Sequence, residues 1–491
     1  MQPSFSRNID ANIRFLDEEL HVGENSDIVK REFLSMGLNC VLYYVDGLTG
    51  TAWAADYLLR PLMNCREPHH GKDAFEMATR QLIATPEVKT DKKPSSAIDA
   101  MMHGLCMVLL DSVPEAILID SRFYVKRSVS TPQTETVVIG PHEAFTEPLR
   151  DNLTLLHRIM PTQSLICKML DVGDQVKTKI SLCYLHGVCP QKTVDEITRR
   201  LNACQVDDVQ GSGMLSQLLE DDPFAPLPQI VSTERPDRVA SFLLEGQAVI
   251  LMEGSPRALA MPVSLWHLFH APDDTYMRWQ YGSFMRIIRM IGAVVALLLP
   301  AVFVSIVMYH PIALPMSLLT NIIQSRSVIS ISIFTEGLLL LTVFDLINEA
   351  GTRIPGLLGS SFGLVSALIL GTAAVDAGMV SPLLLIVVAL SGLGSYALPD
   401  YSLSFAFRMG QMLLLIAGGL LGLPGVCLVL VWLIMRVAGM QSFGRPYLAP
   451  STPFRARNPD LVIRAPVYRQ RLRGYLARPQ RMMRARGRMR K

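Results

Sequence analysis

The stretch from Met290 to Tyr309, MIGAVVALLLPAVFVSIVMY, contains no charged residue and decides the class of fold. A bilayer core needs about 20 apolar residues for one spanning helix, and this stretch has that length. Trp279, Tyr281 and Tyr309 lie near its ends, where aromatic side chains anchor helices at the membrane interface. The stretch is therefore predicted to span a membrane, with a kink at Pro300.

Charge divides the chain into three regions around this segment. Residues 1–286 carry a net charge of −10, residues 287–444 a net charge of 0, and residues 445–491 a net charge of +13. The pattern indicates an acidic water-soluble region, a membrane region and a basic tail. It excludes a single soluble domain, a disordered chain and a small disulfide scaffold. The eight cysteines contain no CxxC pair, so the soluble region is expected to face a reducing cytoplasm.

Four further apolar segments follow in the membrane region. Leu357–Val375, Val380–Pro399 and Met409–Met435 are long enough to span. Residues 328–346 are also apolar but have Glu336 at their centre, and an ionisable group at mid-membrane costs at least about 2.5 kcal/mol. Small residues are frequent in these segments, which favours close packing of helices within the chain or between subunits.

The basic residues indicate how the segments are oriented. Arg278, Arg286 and Arg289 flank the entry to the first span and the basic tail follows the last one, so both chain ends are expected in the cytoplasm. Five crossings would separate the ends, so one segment must fail to cross. We expect residues 328–346 to be re-entrant or packed inside an assembly, which leaves four crossings. A six-crossing arrangement would split the last segment at its glycines into pieces of about 13 residues, too short to span.

Three acids of this region are candidates for an ion pathway: Glu336, Asp345 and Asp376. Acids inside a membrane segment usually face protein or water and are candidate functional groups. For Glu336 the alternative is a carboxylate satisfied by a neighbouring helix, and the sequence does not separate the two. Asp345 and Asp376 lie at segment ends, where boundary residues are common.

The soluble region contains one pattern twice. VLYYVDGLT (residues 41–49) and HGLCMVLLDSVPEAILID (103–120) correspond to SLCYLHGVC (181–189) and EGQAVILMEGSPRALAMP (245–262). The matched positions are Tyr44 with Tyr184, Gly47 with Gly187, Gly104 with Gly246, and Asp111 with Glu253.

This duplication predicts two α/β lobes, at residues 1–170 and 171–286. In each lobe a buried strand leads to a glycine turn and a helix, and a β-hairpin follows. A cleft between two such lobes is a common place for a ligand or a partner. A purely structural duplication is the favoured alternative, because no glycine-rich phosphate loop or converging charges point into the cleft.

Catalytic signatures are absent from the sequence. It contains no GxxxxGK[ST], no GxGxxG after a strand and no HExxH. His267 and His270 share an i, i+3 spacing, but without carboxylate or cysteine ligands nearby a structural role is favoured over a metal site. We therefore predict no enzyme activity, no cofactor and no metal.

The basic tail, residues 445–491, is predicted to be cytosolic and to bind anionic lipid head groups. A basic residue near such a surface contributes about 1 kcal/mol, and arginine suits phosphate contacts. Nucleic acid is a less favoured partner for a tail attached to a membrane domain. The candidate lipid-binding residues are Arg464, Arg469, Arg471, Arg473, Arg481 and Arg484.

Several long segments resemble the A subunits of the GerA family of spore germination proteins. They are residues 134–187, residues 223–256 with TERPD and LLEG, HPIALP (310–315) and EAGTRIP (349–355). The family motif residues are Thr233, Glu234, Arg235, Pro236 and Asp237. IDANIRFLDEELHVGENSDIVKREF and RPYLAPSTPF are more similar to the stage V sporulation branch than to the nutrient-receptor branch. Ile139, His142 and His157 depart from the family pattern.

The resemblance implies a multi-pass protein of the spore inner membrane that takes part in germination. Family members are thought to form homo-oligomeric ion channels that work with other germinant receptor subunits or accessory membrane proteins. The expected function is thus an ion-conducting or channel-associated subunit. The alternative is a structural adaptor that positions receptor subunits and conducts nothing.

Overall fold

The computed structural model describes residues 4–65, 67–122, 132, 135–327, 329–353, 371–452, 460–474 and 476–484. Within them the chain forms two α/β lobes, a group of long helices and an extended C-terminal segment. The predicted span Leu357–Val375 lies outside the described residues, apart from positions 371–375, which are helical.

The first lobe is an antiparallel sheet of five strands in the order β1-β2-β4-β5-β3. Helices α1 (Ile9–Glu19) and α2 (Pro94–Met102) cover one face, and helical turns between residues 51 and 82 cover the other. Both faces are therefore buried, which explains why strands such as LCMVLL are continuously apolar. The strands are Ile28–Ser35, Leu38–Val45, Val88–Asp91, Leu105–Leu110 and Ala116–Asp120.

The second lobe repeats this architecture with the strand order β6-β7-β9-β10-β8. One face is covered by α3 (Leu149–Ile159) and α6 (Pro236–Glu245), and the other by α4 (Gln191–Ala203) and α5 (Ser212–Leu219). The strands are Leu165–Val172, Thr178–Leu185, Val231–Thr233, Ala248–Met252 and Ala258–Met261.

Equivalent glycines of the two lobes have the same backbone conformation. Gly47 and Gly187 follow β2 and β7 with φ of +88° and +71°. Gly104 and Gly246 precede β4 and β9 with φ of +93° and +91°. Because a positive φ favours glycine, the matched glycines of the sequence reflect matched turns. The two α/β lobes are thus present as predicted, with one topology.

The structural repeat begins earlier than the pattern seen in the sequence. Asn12 Oδ1 accepts from the backbone N–H of Ser6 at 2.8 Å, and its amide donates to the Ser6 carbonyl at 2.7 Å. Asn152 makes the same two hydrogen bonds with the backbone of Thr146, at 2.7 Å and 2.6 Å. The second repeat therefore begins near Phe145, and the predicted boundary at residues 170/171 falls inside β6.

Long helices follow the lobes in the described part of the chain. By length and composition α7 and α11 could cross a membrane, while α10 is apolar but shorter. A short helix, α8, separates α7 from α9. Their bounds are α7 Trp279–Tyr309, α8 Met316–Arg326, α9 Ile333–Arg353, α10 Pro382–Tyr396 and α11 Tyr401–Gly439.

Helix α11 folds back on itself. Gly422 interrupts it with the non-helical angles φ +67° and ψ −155°. A Cβ placed on Gly425 would lie 2.4 Å from the carbonyl oxygen of Ala417. Residues eight positions apart in a straight helix are separated by about 12 Å, so the chain must reverse between them. Helix α11 is therefore a hairpin of two antiparallel arms, residues 401–421 and 423–439.

This hairpin differs from the single span predicted for the last apolar segment. The prediction rejected a split because each half of Met409–Met435 has only about 13 residues. The helix extends beyond that apolar run at both ends, to Tyr401 and Gly439, so the arms have 21 and 17 residues. Polar residues such as Arg408 and Arg436 lie in these extensions. Because they end the apolar run, the hydropathy of the sequence underestimates the length of the helix.

Helix α7 lies alongside the hairpin. A Cβ placed on Gly292, in the first half of α7, would lie 3.3 Å from the Gly394 carbonyl oxygen near the end of α10. At the other end of α7, the Tyr309 hydroxyl donates to the carbonyl of Gly419 at 2.8 Å. The hairpin turn is thus at the end of the helix group distant from the lobes.

Helix α9 extends through the whole height of this group. Phe334 contacts Gly419 near the hairpin turn, and Asn348 accepts a hydrogen bond from Tyr396 at the end near the lobes. Residues 328–346 are predicted to be re-entrant or packed inside an assembly, and this stays a prediction. The structure has one helix of 21 residues over Ile333–Arg353, and the reversal of chain direction is in the α11 hairpin.

The C-terminal segment packs on the second lobe. The Tyr447 hydroxyl donates to the Pro228 carbonyl at 2.7 Å. Farther along, the backbone N–H of Gln480 donates to the Val188 carbonyl at 2.9 Å. A two-stranded ladder of Gln441–Ser442 (β11) and Arg445–Pro446 (β12) begins the segment. The described part of the tail is therefore folded against the lobe.

Candidate functional site

Glu336 is fully buried where α9 meets the residues preceding α10. Its Oε2 accepts from Nη1 of Arg326 at 2.6 Å. Its Oε1 accepts from the backbone N–H and the hydroxyl of Ser381, at 2.5 Å and 2.7 Å. Both carboxylate oxygens are therefore bonded within one chain. This arrangement is expected for an acid whose carboxylate oxygens are hydrogen-bonded by neighbouring segments of the same chain.

Asp345 lies on the same helix, about 13 Å from Glu336 along the axis and closer to the lobes. Nη1 of Arg408, on the first arm of the hairpin, lies 3.4 Å from its Oδ1. The Asp345 side chain is 42% exposed, in contrast to the buried Glu336. Asp376 is also exposed, at the end of the helical residues 371–376. The three predicted acids thus do not form one cluster.

The neck, residues 264–289, joins the second lobe to α7 through buried ion pairs. Asp274 accepts from Nε of Arg286 at 3.0 Å and from both Nη atoms of Arg289 at 2.7 Å and 3.0 Å. Burial would raise the pKa of Asp274, but the hydrogen bonds and charges of the two arginines hold it below its usual value. Arg286 also pairs with Asp460 of the tail at 2.6 Å.

The tail arginines divide into buried and exposed residues. Arg464 is buried and donates to the carbonyls of Asp274 and Met277. Arg473 is buried and donates to three backbone carbonyls, including that of Leu244. These two residues differ from the predicted lipid contacts, because the fold uses their guanidinium groups for backbone acceptors. The exposed candidates are Arg469, Arg471, Arg481 and Arg484.

The TERPD motif forms the start of α6. Arg235 is fully buried and contacts Asp237 with two hydrogen bonds of 2.9 Å and 3.1 Å. It also donates to the Pro141 carbonyl at 2.9 Å, so it ties the segment before α3 to the second lobe. The other members have structural partners: Thr233 with Glu135, Glu234 with Arg257, and Pro236 at the first position of α6.

A cavity of about 390 Å³ lies where α6, the neck and the tail meet. Its charged wall residues are already paired in the structure. Arg238 pairs with Glu135 at 2.8 Å, and Arg484 pairs with Glu245. The lining itself holds four arginines and two acids, a formal charge of +2. Its titratable lining residues are Arg238, Glu245, His267, His270, Arg286, Asp460, Arg464 and Arg484.

His267 and His270 have structural partners in this wall. Nδ1 of His267 lies 2.9 Å from the Ser264 hydroxyl and closes a capping box at the start of a short helix. Nε2 of His270 donates to the carbonyl of Leu461 at 2.7 Å. Burial lowers the pKa of His267 to about 3 and that of His270 to about 4, so both are neutral at physiological pH.

One polar cluster escaped the sequence analysis. Asp27, His157 and Cys167 come together in the interface between the lobes, and all three are buried. Asp27 lies 130 positions before His157 along the chain, so no local motif contains both. The only signal was His157 itself, a polar residue in the apolar run of a helix.

Comparison with known proteins gives long matches. The family model described as Bacillus/Clostridium GerA spore germination protein matches residues 15–475. Spore germination protein A1 of Bacillus subtilis (strain 168) is 32% identical over 468 residues, 95% of each chain. Spore germination protein KA of the same strain is 30% identical over 471 residues, covering 95% of this chain and 85% of that one.

A solved structure is similar to part of the chain. It is the crystal structure of the N-terminal domain of the A subunit of the Bacillus megaterium spore germinant receptor GerK3. The similarity has a TM-score of 0.42 and 28% sequence identity, and it covers 53% of this chain and 96% of that one.

Proposed function

Because the chain belongs to the GerA family of spore germination proteins, we propose that it is a multi-pass subunit of a germination complex in the spore inner membrane. One similar structure is named as a subunit of a spore germinant receptor. By analogy, the partners of this chain are other copies of itself and other germination receptor subunits or accessory membrane proteins. Membrane lipids contact its apolar helices.

Six passes through the membrane fit the arrangement of the helices. Helix α7 leads away from the lobes, while α9 and α10 both lead back toward them. We infer a further pass between α9 and α10 from the apolar sequence of Leu357–Val375, which lies outside the described residues apart from positions 371–375. The hairpin adds an outward and a returning pass. Six is an even number, so both chain ends are assigned to the cytoplasmic side with the lobes and the basic tail.

We assign to this subunit an ion-conducting or channel-associated role. The observation that carries it is the presence of acid–arginine pairs in an otherwise apolar group of helices, since ionisable residues at membrane depth are usually functional. Glu336 is enclosed by one chain, whereas Asp345 is 42% exposed. We therefore propose that cations pass the exposed Asp345 and Asp376 at an interface with a neighbouring subunit, and that Glu336 supports helix packing.

Ion flux through liposomes that contain the full-length protein tests this role. We expect cation leakage from an oligomer whose subunit number is measured by native mass spectrometry. Asp345→Asn should reduce the flux or change its cation selectivity, because it removes the exposed negative charge. Asp73→Asn is the matched control, since Asp73 is an exposed acid of the first lobe. Equal flux for Asp345→Asn and wild type, in oligomers of the same size, would refute the assigned path.

A non-conducting adaptor is the second candidate function. It is favoured by the complete satisfaction of the Glu336 carboxylate within one chain, which leaves this acid no site for a mobile ion. In that case liposomes with the purified protein do not leak, and the protein co-purifies with germinant receptor subunits through its lobes. Absence of flux with and without those subunits would select the adaptor.

A further inference from the structure

The second lobe presents an apolar loop tip beside the helix group. The loop, residues 220–229, lies between α5 and β8, and its tip is the sequence PFAP from Pro223 to Pro226. Phe224 is 92% exposed, and both prolines are exposed as well. Single exposed apolar residues are common on protein surfaces. The meaning of Phe224 therefore depends on how the loop is held and on where it lies in the molecule.

Hydrogen bonds within the loop hold its tip in place. Gln229 is buried, and its Oε1 accepts from the backbone N–H of Asp221 at 2.8 Å and of Asp222 at 3.2 Å. Its Nε2 donates to the Asp222 carbonyl at 2.9 Å. The backbone N–H of Phe224 donates to Oδ1 of Asp222 at 3.1 Å. The exposed position of the phenylalanine is therefore built into the fold of the loop.

The two acids before the tip are both paired with arginines. Oδ2 of Asp222 accepts from Nη2 of Arg436, on the second arm of the α11 hairpin, at 3.2 Å. Asp221 pairs with Arg200 of α4. The tip therefore lies against the end of a long apolar helix, and the neighbouring carboxylates are neutralised by cations of the same chain.

The position of Arg436 along its arm gives the depth of this contact. The hairpin turn lies at the far end of α7, because a Cβ on Gly422 would lie 3.1 Å from the Tyr309 ring. Arg436 follows Gly422 by 14 positions, which is about 21 Å of helix. The hydrocarbon core of a bilayer is about 30 Å thick. With Tyr309 at the far interface, as the sequence predicts, the Asp222–Arg436 pair lies at the near acyl boundary and not in bulk water.

The surface beside the loop has the composition of a lipid-facing helix. Leu428, Trp432 and Arg436 follow one another at a spacing of four residues, so they share one face of the second arm. All three side chains are exposed in the described structure. A tryptophan one turn inside an arginine is typical of a membrane interface. The loop tip therefore continues an exposed apolar stripe at the level where this stripe becomes polar.

We propose that the loop of residues 220–229 inserts Phe224 into the boundary between head groups and acyl chains, and so docks the second lobe on the bilayer. This inference rests on the proposed membrane position of the helix group. Phenylalanine is one of the residues that bury apolar area at this boundary. Pro223 and Pro226 suit the same place, because a proline has no backbone N–H that must leave water. A second copy of the chain is the competing occupant of the tip.

Fluorescence of an NBD probe on introduced cysteines of the full-length protein tests this docking. Phe224→Cys, Leu428→Cys and Leu34→Cys are each combined with Cys427→Ser and placed in nanodiscs of phosphatidylcholine and phosphatidylglycerol. Leu428 is exposed on the hairpin and reports membrane insertion, and Leu34 is an exposed apolar residue of the first lobe. Labelled Cys427→Ser protein is the blank, since the other native cysteines remain.

Lipid with a doxyl quencher on its acyl chain distinguishes the environments of the probes. We expect blue-shifted emission and loss of most of the intensity for Phe224→Cys and Leu428→Cys, and neither effect for Leu34→Cys. Quenching of Leu428→Cys with unshifted emission of Phe224→Cys places the loop in water and overturns the docking, while the membrane position of the helices stands.

Two further results also overturn the docking. A blue-shifted but unquenched probe in Phe224→Cys places the tip against protein, and a cross-link between subunits through that cysteine then identifies the second copy. An unquenched probe in Leu428→Cys shows that the hairpin is not in contact with lipid. That result removes the proposed membrane position together with the inference that rests on it.

Discussion

Glu336 shows, at the scale of a residue, how a carboxylate is accommodated among apolar helices. Its partners come from two segments: the Arg326 side chain at the end of α8, and the backbone N–H and hydroxyl of Ser381 before α10. Desolvation of a charge is costly, and the cost is offset only when every acceptor has a donor. The hydrogen bonds of Glu336 therefore couple the packing of α8, α9 and α10.

Removal of Arg326 tests this dependence. Arg326→Met leaves Glu336 buried without its cation, and we expect a loss of about 3 to 5 kcal/mol in the free energy of unfolding. The double variant Arg326→Met/Glu336→Leu removes both charges and should recover most of that loss. Thermal unfolding in detergent is the measurement. Arg436→Met is the control, because its pair with Asp222 is exposed and is worth at most about 1 kcal/mol.

The neck histidines predict a pH dependence of stability. An unfolded histidine takes up a proton near pH 6.5, whereas burial lowers the pKa of His267 to about 3 and of His270 to about 4. Between pH 6.5 and pH 4 the unfolded state binds more protons, so stability is complete above this range and is lost as the pH falls through it. The loss is about 1 kcal/mol per histidine and pH unit.

His270→Gln is the variant that checks the origin of this dependence. We expect a smaller decrease in unfolding temperature between pH 7 and pH 5 than in wild type, because one of the two groups no longer titrates. His70→Gln, at an exposed loop position, should leave the wild-type slope unchanged. Equal slopes for all three proteins would show that the buried histidines do not control stability in this range.

At the scale of elements, the two lobes share the way in which the N-terminus of their first helix is capped. The first turn of α1 and the first turn of α3 each donate a hydrogen bond to an acid that directly follows the fourth strand of the lobe. The Asp111 carboxylate accepts from the N–H of Ile9, and the Glu253 carboxylate accepts from the N–H of Leu149. These carboxylates satisfy a free amide of the first helical turn and complement the helix dipole. The matched acids of the sequence are therefore helix caps in both lobes.

The α11 hairpin is the element most open to a direct test. A Cβ on Gly410 would lie 3.8 Å from Cδ1 of Leu433, whereas a straight helix would separate the two positions by about 35 Å. We expect Gly410→Cys/Leu433→Cys, with Cys427→Ser, to form an intramolecular disulfide on oxidation. Gly410→Cys/Ile434→Cys is the control, because Ile434 is exposed on the arm. No difference between the two pairs in mass-spectrometric mapping would contradict the hairpin.

At the scale of the whole molecule, the basic tail connects the soluble and helical parts. Its residues contact the second lobe, the neck and the start of α7, through Arg473, Arg464 and Asp460 respectively. The basic tail is therefore attracted to the acidic soluble region of its own chain as well as to any anionic lipid surface. Part of the positive charge of the tail is therefore hydrogen-bonded inside the fold and is not available to a lipid surface.

Substitutions in the tail separate these two uses of arginine. Arg473→Ala should lower the free energy of unfolding by about 1 to 3 kcal/mol, because three backbone carbonyls in partly buried hydrogen bonds lose a charged donor. Arg469→Ala should change it by at most about 0.5 kcal/mol, since Arg469 is exposed. Its expected effect is weaker binding to vesicles of anionic lipid. A stable Arg473→Ala protein with reduced vesicle binding would instead assign Arg473 to the lipid surface.

The sequence by itself determined the features that depend on local composition and period. Apolar runs indicated long helices, matched strands and glycines indicated two α/β lobes, and the ordered segments around TERPD indicated the family. Only the tertiary structure decided which apolar segment returns, because the reversal at Gly422 depends on close contact between arms and with Tyr309. It alone also joined Asp27 to His157, since contacts between positions so distant in the chain leave no periodic signal in the sequence.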